Sequence, residues 1–103
     1  MQPRHVLRPS TVWYVQVRME SGVRHIGTII DLSAGDCRIE LHTRVPLLHS
    51  KILIKPDGLN ALEGTVRWVS GNQFGVAFDR PIYGPVLEHL IRQHSALTFL
   101  VKV

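Results

Sequence analysis

A chain of 103 residues, 45% hydrophobic and 19% charged, is one globular domain able to bury roughly two-thirds of its unfolded surface, and not a disordered segment. No apolar run approaches the roughly 18 residues of a membrane span, so no membrane insertion is expected. The net charge of +4, nine of its twelve cations being arginine, favours an anionic partner: the flat guanidinium fork suits phosphate and guanine better than an ammonium does.

From Val12 to Met19 the chain alternates. Trp13, Val15, Val17 and Met19 point one way and Tyr14, Gln16 and Arg18 the other, which predicts a strand. After the turn signal Ser21-Gly22, Val23 to Leu32 reads as a second strand with Ile26, Thr28 and Ile30 on one face. Ser33-Ala34-Gly35-Asp36 is a tight turn, followed by a third strand with Cys37, Ile39 and Leu41 opposite Arg38, Glu40 and His42. Lys51 to Lys55 is a short strand ended by Pro56-Asp57-Gly58. Leu62, Gly64, Val66 and Trp68 then share one face, so that Trp13 and Trp68 are both expected as core anchors. Ser70-Gly71-Asn72 marks a hairpin into Phe74, Val76 and Phe78. Only after Pro81 does the period change: Val86, Leu87, Leu90 and Ile91 recur at helical spacing behind Gly84-Pro85.

These elements predict a mostly β fold: a six-stranded antiparallel β-barrel of split-barrel type with a C-terminal α-helix. The expected organisation is a single domain over 1–103. It comprises a flexible arm at 1–11, the barrel at 12–80, a helix at 84–96 and an apolar tail at 97–103. Phe99, Val101 and Val103 alternate, so the tail could pair as a strand, pack beside the helix or meet another protein.

Candidate chemistry is sparse. A lone Cys37 forms no internal disulfide, the six histidines offer no convincing metal set, and a secretory signal is absent, which makes the cytoplasm the expected location. Phosphate-cradling glycine loops and nucleophile elbows are missing, and no histidine is placed locally against Asp31 and Ser33. No enzyme, metal or cofactor is expected. Two polar groups remain: Arg4-His5-Val6-Leu7-Arg8 and Asp31-Leu32-Ser33-Ala34-Gly35-Asp36. Taken singly, the first reads as a solvated basic segment and the second as a side-chain-braced turn.

In this order, Arg-x-x-x-Arg, a strand and Asp-x-Ser before a turn resemble the PilZ domain family, whose ligand is the bacterial second messenger cyclic di-GMP. Gly64-Thr65-Val66-Arg67-Trp68 followed by Phe74-Gly75-Val76-Ala77-Phe78 is similar to the family's later strand pair, and the resemblance covers nearly the whole chain. It implies that Arg4 and Arg8 take guanine edges and phosphates, since an arginine fork matches guanine O6 and N7. It implies that Asp31 accepts from guanine N1–H and N2–H₂, and that Ser33 adds a hydroxyl contact while shaping the turn. Asp36 and Arg38 are further candidates beside them. The arm would close over the ligand and pass the signal to a separate protein governing motility, exopolysaccharide or adhesion.

One position departs from the family pattern Asp-x-Ser-x-x-Gly: its last glycine is Asp36. If the position needed φ > 0, aspartate would strain it. A carboxylate about 6 Å from the ligand would also repel it by roughly 0.7–3 kcal/mol per ligand charge, unless Asp36 faces water or pairs with Arg38. The alternative reading is therefore a PilZ-like domain that has lost its ligand and serves as a protein–protein adaptor. A basic barrel binding RNA or single-stranded DNA is a third reading. It is not expected, because the aromatics alternate onto apolar faces instead of interleaving with cations.

Overall fold

The structure is a computed structural model that describes residues 5–6 and 12–101, with side chains described over 12–93. Six strands close the barrel: β2 (Tyr14–Arg18), β3 (Arg24–Leu32), β4 (Asp36–Glu40), β5 (Lys51–Pro56), β6 (Leu62–Ser70) and β7 (Gln73–Phe78). Around it the order is β3-β2-β5-β6-β7-β4, antiparallel throughout and closed by the β3–β4 pairing. Closure removes the sheet edges that an open meander would leave unpaired. A two-residue strand absent from the sequence reading, β1 (His5–Val6), lies outside this ring and pairs with the end of β3, His5 opposite Leu32 and Val6 opposite Asp31. It is the one described part of the 1–11 arm; the flexibility expected there lies outside the described residues.

The inward positions are those the alternation marks. Trp13, Val15 and Val17 meet Ile29, Cys37, Ile39, Leu41, Ile52, Ile54, Val66, Phe74 and Val76 in one core, all buried. Trp13 is fully enclosed, and its Nε1–H donates to the Asp57 carbonyl at 2.9 Å, which satisfies the only polar atom it brings inside. Gly64 is required where β6 crosses β7. A Cβ there would meet Val76 Cγ1 at 2.5 Å and the Ala77 carbonyl oxygen at 2.8 Å. Ile26, Thr28 and Ile30 do share a face, and it is the outer one.

After Pro81 the chain enters α1 (Gly84–Val101). Leu87 and Leu90 are buried and Ile91 is half-buried, so the predicted stripe does pack, although Val86 at its start is exposed. The helix runs five residues beyond the expected end at 96 and takes in 97–101, so that this part of the expected tail is helical and does not pair as a strand.

Candidate ligand-binding site

Strict alternation would send Asp31 into the core with Ile29, and Trp68 with Val66. Two β-bulges prevent this. On β3, Ile29 pairs with Ile39 and Asp31 with Arg38, which leaves Ile30 as an extra residue; on β6, Val66 pairs with Val76 and Trp68 with Gly75, which leaves Arg67 extra. An extra residue inverts the inside–outside phase of everything after it. Leu32 and Cys37 therefore stay in the core while Asp31 and Arg38 turn to the outer face. Trp68 likewise turns outward and is 40% exposed, which corrects its assignment as a core anchor.

The bulges bring four positions into one row across the outer wall: Asp31 opposite Arg38, Arg38 opposite Gly75, Gly75 opposite Trp68. Directly opposed residues on neighbouring strands lie about 4.5–5.5 Å apart, so the row spans roughly 15 Å. Arg38 Nη2 meets Asp31 Oδ2 at 2.9 Å. The Asp31 side chain is only 6% exposed and that of Arg38 35% exposed, so the carboxylate is sheltered beneath a guanidinium that still reaches water. Arg38 Nε is buried without a hydrogen-bond partner, leaving one donor of the fork unsatisfied. Two residues along, Glu40 accepts from His42 Nε2 at 2.8 Å and Gln73 Nε2 at 3.3 Å; these contacts hold its carboxyl below the ordinary range.

Gly75 explains how Trp68 lies. A Cβ at position 75 would collide with the indole Nε1, Cε2 and Cδ1, so the ring rests on the bare backbone of β7 and the glycine beneath it is buried. Gly75→Ala is expected to lift the ring off the sheet and red-shift tryptophan emission, with little change in thermal midpoint. An unaltered spectrum would contradict this placement.

At the β3–β4 turn, Ser33 is buried and braces its own loop. Its backbone N–H donates to the Asp36 carbonyl at 2.9 Å, its hydroxyl donates to Asp36 Oδ1 at 2.7 Å, and the Asp36 N–H approaches the same hydroxyl at 3.3 Å. Asp36 has no positive φ, so it occupies the motif position without backbone strain. Nor does Arg38 pair with it: Arg38 is held by Asp31, and Asp36 takes the Ser33 hydroxyl. The turn is tied to the rest of the barrel by Phe78 N–H to the Gly35 carbonyl and Ile82 N–H to the Ala34 carbonyl.

Of the residues expected from sequence, Asp31, Ser33, Asp36 and Arg38 thus come together at one end of β3 and β4. Arg4 and Arg8 lie outside the described residues, but the strand between them, β1, is paired beside Asp31. Trp68 is the member sequence reading missed. A groove of about 400 Å³, lined by Met19, Val23, His25, Arg44 and Leu47 among others, shares no residue with the row. Its lining is mostly apolar, whereas the row gathers an acceptor, a cation and an aromatic face.

The sequence matches the PilZ domain family over residues 2–94. The chain belongs to the PilZ domain family. Among solved structures, this PilZ domain is similar to that of YcgR from Escherichia coli, which was solved with c-di-GMP. The TM-score is 0.71 at 14% identity, covering 98% of this chain and 92% of that one. It is also similar to the PilZ domain of CeSA from a cellulose-synthesising bacterium, with a TM-score of 0.61 at 18% identity over 93% and 98% of the two chains. The motility inhibitor MotI of Bacillus subtilis matches with a TM-score of 0.62 at 13% identity, over 96% of this chain and 50% of that one. A search among curated protein sequences returns no match.

Proposed function

We propose that this PilZ domain is a receptor for cyclic di-GMP that relays ligand binding to a partner protein. The observation that carries the reading is the outer row Asp31–Arg38–Gly75–Trp68 set beside β1, the strand between Arg4 and Arg8. Its chemistry fits a guanine dinucleotide part by part. Asp31 offers an acceptor pair to guanine N1–H and N2–H₂. Arg4 and Arg8, carried by the arm, supply forks for guanine O6 and N7 and for phosphate. The Arg38 guanidinium still reaches water beyond its bond to Asp31, and Trp68 presents a flat face at the far end of the row on which a base can stack. Ser33 acts mainly by holding the turn. The relatives give the reading weight: the YcgR PilZ domain was solved with c-di-GMP, and MotI is an inhibitor of motility.

Calorimetric titration of the domain with cyclic di-GMP tests this. Saturable heat is expected, and a flat trace at high micromolar ligand would overturn the receptor reading. Asp36→Asn keeps an acceptor for the Ser33 hydroxyl while removing a negative charge near a dianionic ligand. It is expected to raise affinity roughly three- to tenfold.

A further inference from the structure

The end of the barrel remote from the Ser33 turn carries an apolar knob beside an apolar hole. There the β2–β3 hairpin turn and the connection from β4 to β5 line the two sides of the groove of about 400 Å³. Met19 and Val23 line it from the hairpin, Val45 and Leu47 from the connection. The knob continues from there: Leu47 is 77% exposed and Leu48 50%. These leucines do not belong to a slack loop. His49 beside them has a φ of 69°, a left-handed conformation uncommon for a residue with a Cβ. Hydrogen bonds hold it there. His49 N–H donates to the Val66 carbonyl at 2.9 Å, Val66 N–H to the Ser50 carbonyl at 3.0 Å, and the Ser50 hydroxyl to the Leu47 carbonyl at 2.6 Å. The turn therefore presents both leucines in a fixed shape.

Charge is divided between the two sides of the groove. Glu20 stands on the hairpin side and Arg44 on the other, both exposed. Glu20 Oε1 accepts the Lys51 backbone N–H at 2.9 Å, which positions the carboxylate without neutralising it. Among the described residues neither Glu20 nor Arg44 has an ion-pair partner.

We propose that the occupant of this groove is a second copy of the chain related by a two-fold axis. Leu47 and Leu48 of each copy sit against Met19, Val23 and Val45 of the other. The surface is self-complementary, as an isologous contact must be: a two-fold axis brings the hairpin side of each copy against the connection side of its mate. Glu20 then meets Arg44 twice, and each knob meets a hole. A partner of one charge sign would be attracted by one side and repelled by the other. An anionic membrane would be repelled by Glu20 as the leucines entered it. A patch of this modest extent makes a weak dimer, with Kd on the order of 0.1 mM.

The groove shares no residue with the ligand row, and the chain is measured without ligand, so failure here leaves the receptor reading standing. Sedimentation equilibrium of the whole chain, from about 20 µM to about 1 mM, is expected to show monomer–dimer exchange. Leu48→Arg should raise Kd at least about tenfold. Glu20→Arg and Arg44→Glu should each do the same alone, because each sets like charges together at both contacts. Mixed in equal amounts, these two variants should dimerise again to within about threefold of the parent, since the mixed pair restores acid against base at both. Dispersed amide spectra check that each variant is folded. A monomer at the highest concentration, self-association unaffected by Leu48→Arg, or no recovery on mixing would overturn the proposal. So would binding of the monomer to phosphatidylglycerol vesicles that Leu48→Arg abolishes.

Discussion

Asp31→Asn is expected to weaken cyclic di-GMP binding by two orders of magnitude or more while leaving the barrel folded. The carboxylate is an acceptor at both oxygens, whereas the amide presents one acceptor and one donor. One of the two guanine N–H groups would then face an N–H₂, replacing a charge-assisted hydrogen bond worth roughly 1.5–3 kcal/mol with a donor–donor contact. The other bond survives as a weaker neutral one, so the combined loss is about 3 kcal/mol or more, beyond a hundredfold in affinity. Stability changes less. Arg38 keeps one acceptor at position 31, and its guanidinium still reaches water, which limits the cost of the weakened pair to about 1 kcal/mol. In a domain of this size that corresponds to a fall of roughly 4–8 °C in Tm. Calorimetry and thermal melting on the same sample separate the two effects; a melting loss with affinity retained would make Asp31 a structural residue only.

Removing the ring at position 68 comes next in size. Base–aromatic stacking is worth roughly 1–3 kcal/mol, so Trp68→Ala is expected to cost about five- to 150-fold in affinity. Trp68→Phe should retain most of the binding. The chain contains two tryptophans, and only one is accessible: Trp13 is enclosed in the core with its indole N–H bonded to Asp57, whereas Trp68 is 40% exposed. Ligand binding should therefore quench the emission of the parent, and the quench should vanish in Trp68→Phe while calorimetric binding persists. Full calorimetric binding with unchanged parent emission would place the base elsewhere without touching the receptor reading.

Most of the barrel was legible because alternation is a direct record of which side each residue faces. Val15 and Val17, Cys37 and Ile39, Phe74 and Val76 are all where a period of two puts them. That record fails wherever the ladder gains a residue. Nothing in Ile29-Ile30-Asp31 or Val66-Arg67-Trp68 marks Ile30 or Arg67 as the extra one, because a bulge is decided by the partner strand and not by local composition. A weak clue existed in Asp31 itself: a carboxylate in phase with Ile29 would lie among apolar side chains, whereas the inverted phase sets it against the Arg38 guanidinium. For Trp68 the clue was Gly75, a bare position on the strand across the hairpin, but the pairing between them could not be inferred from either alone. The Arg38–Asp31 bond was hidden for the same reason, since the two meet only once Ile30 is set aside. The two-residue β1 was too short to carry any periodicity at all.

The bulges at Ile30 and Arg67 also separate two kinds of evolutionary freedom. Without them, changing the residue at 31 or 68 would mean changing the hydrophobic core, and each substitution would be judged first by packing. With them, the outer row can exchange an acid, a cation or a ring while Leu32, Cys37 and Val76 behind it keep the same neighbours. Two single-residue insertions thus let recognition diverge across a wall whose interior does not change.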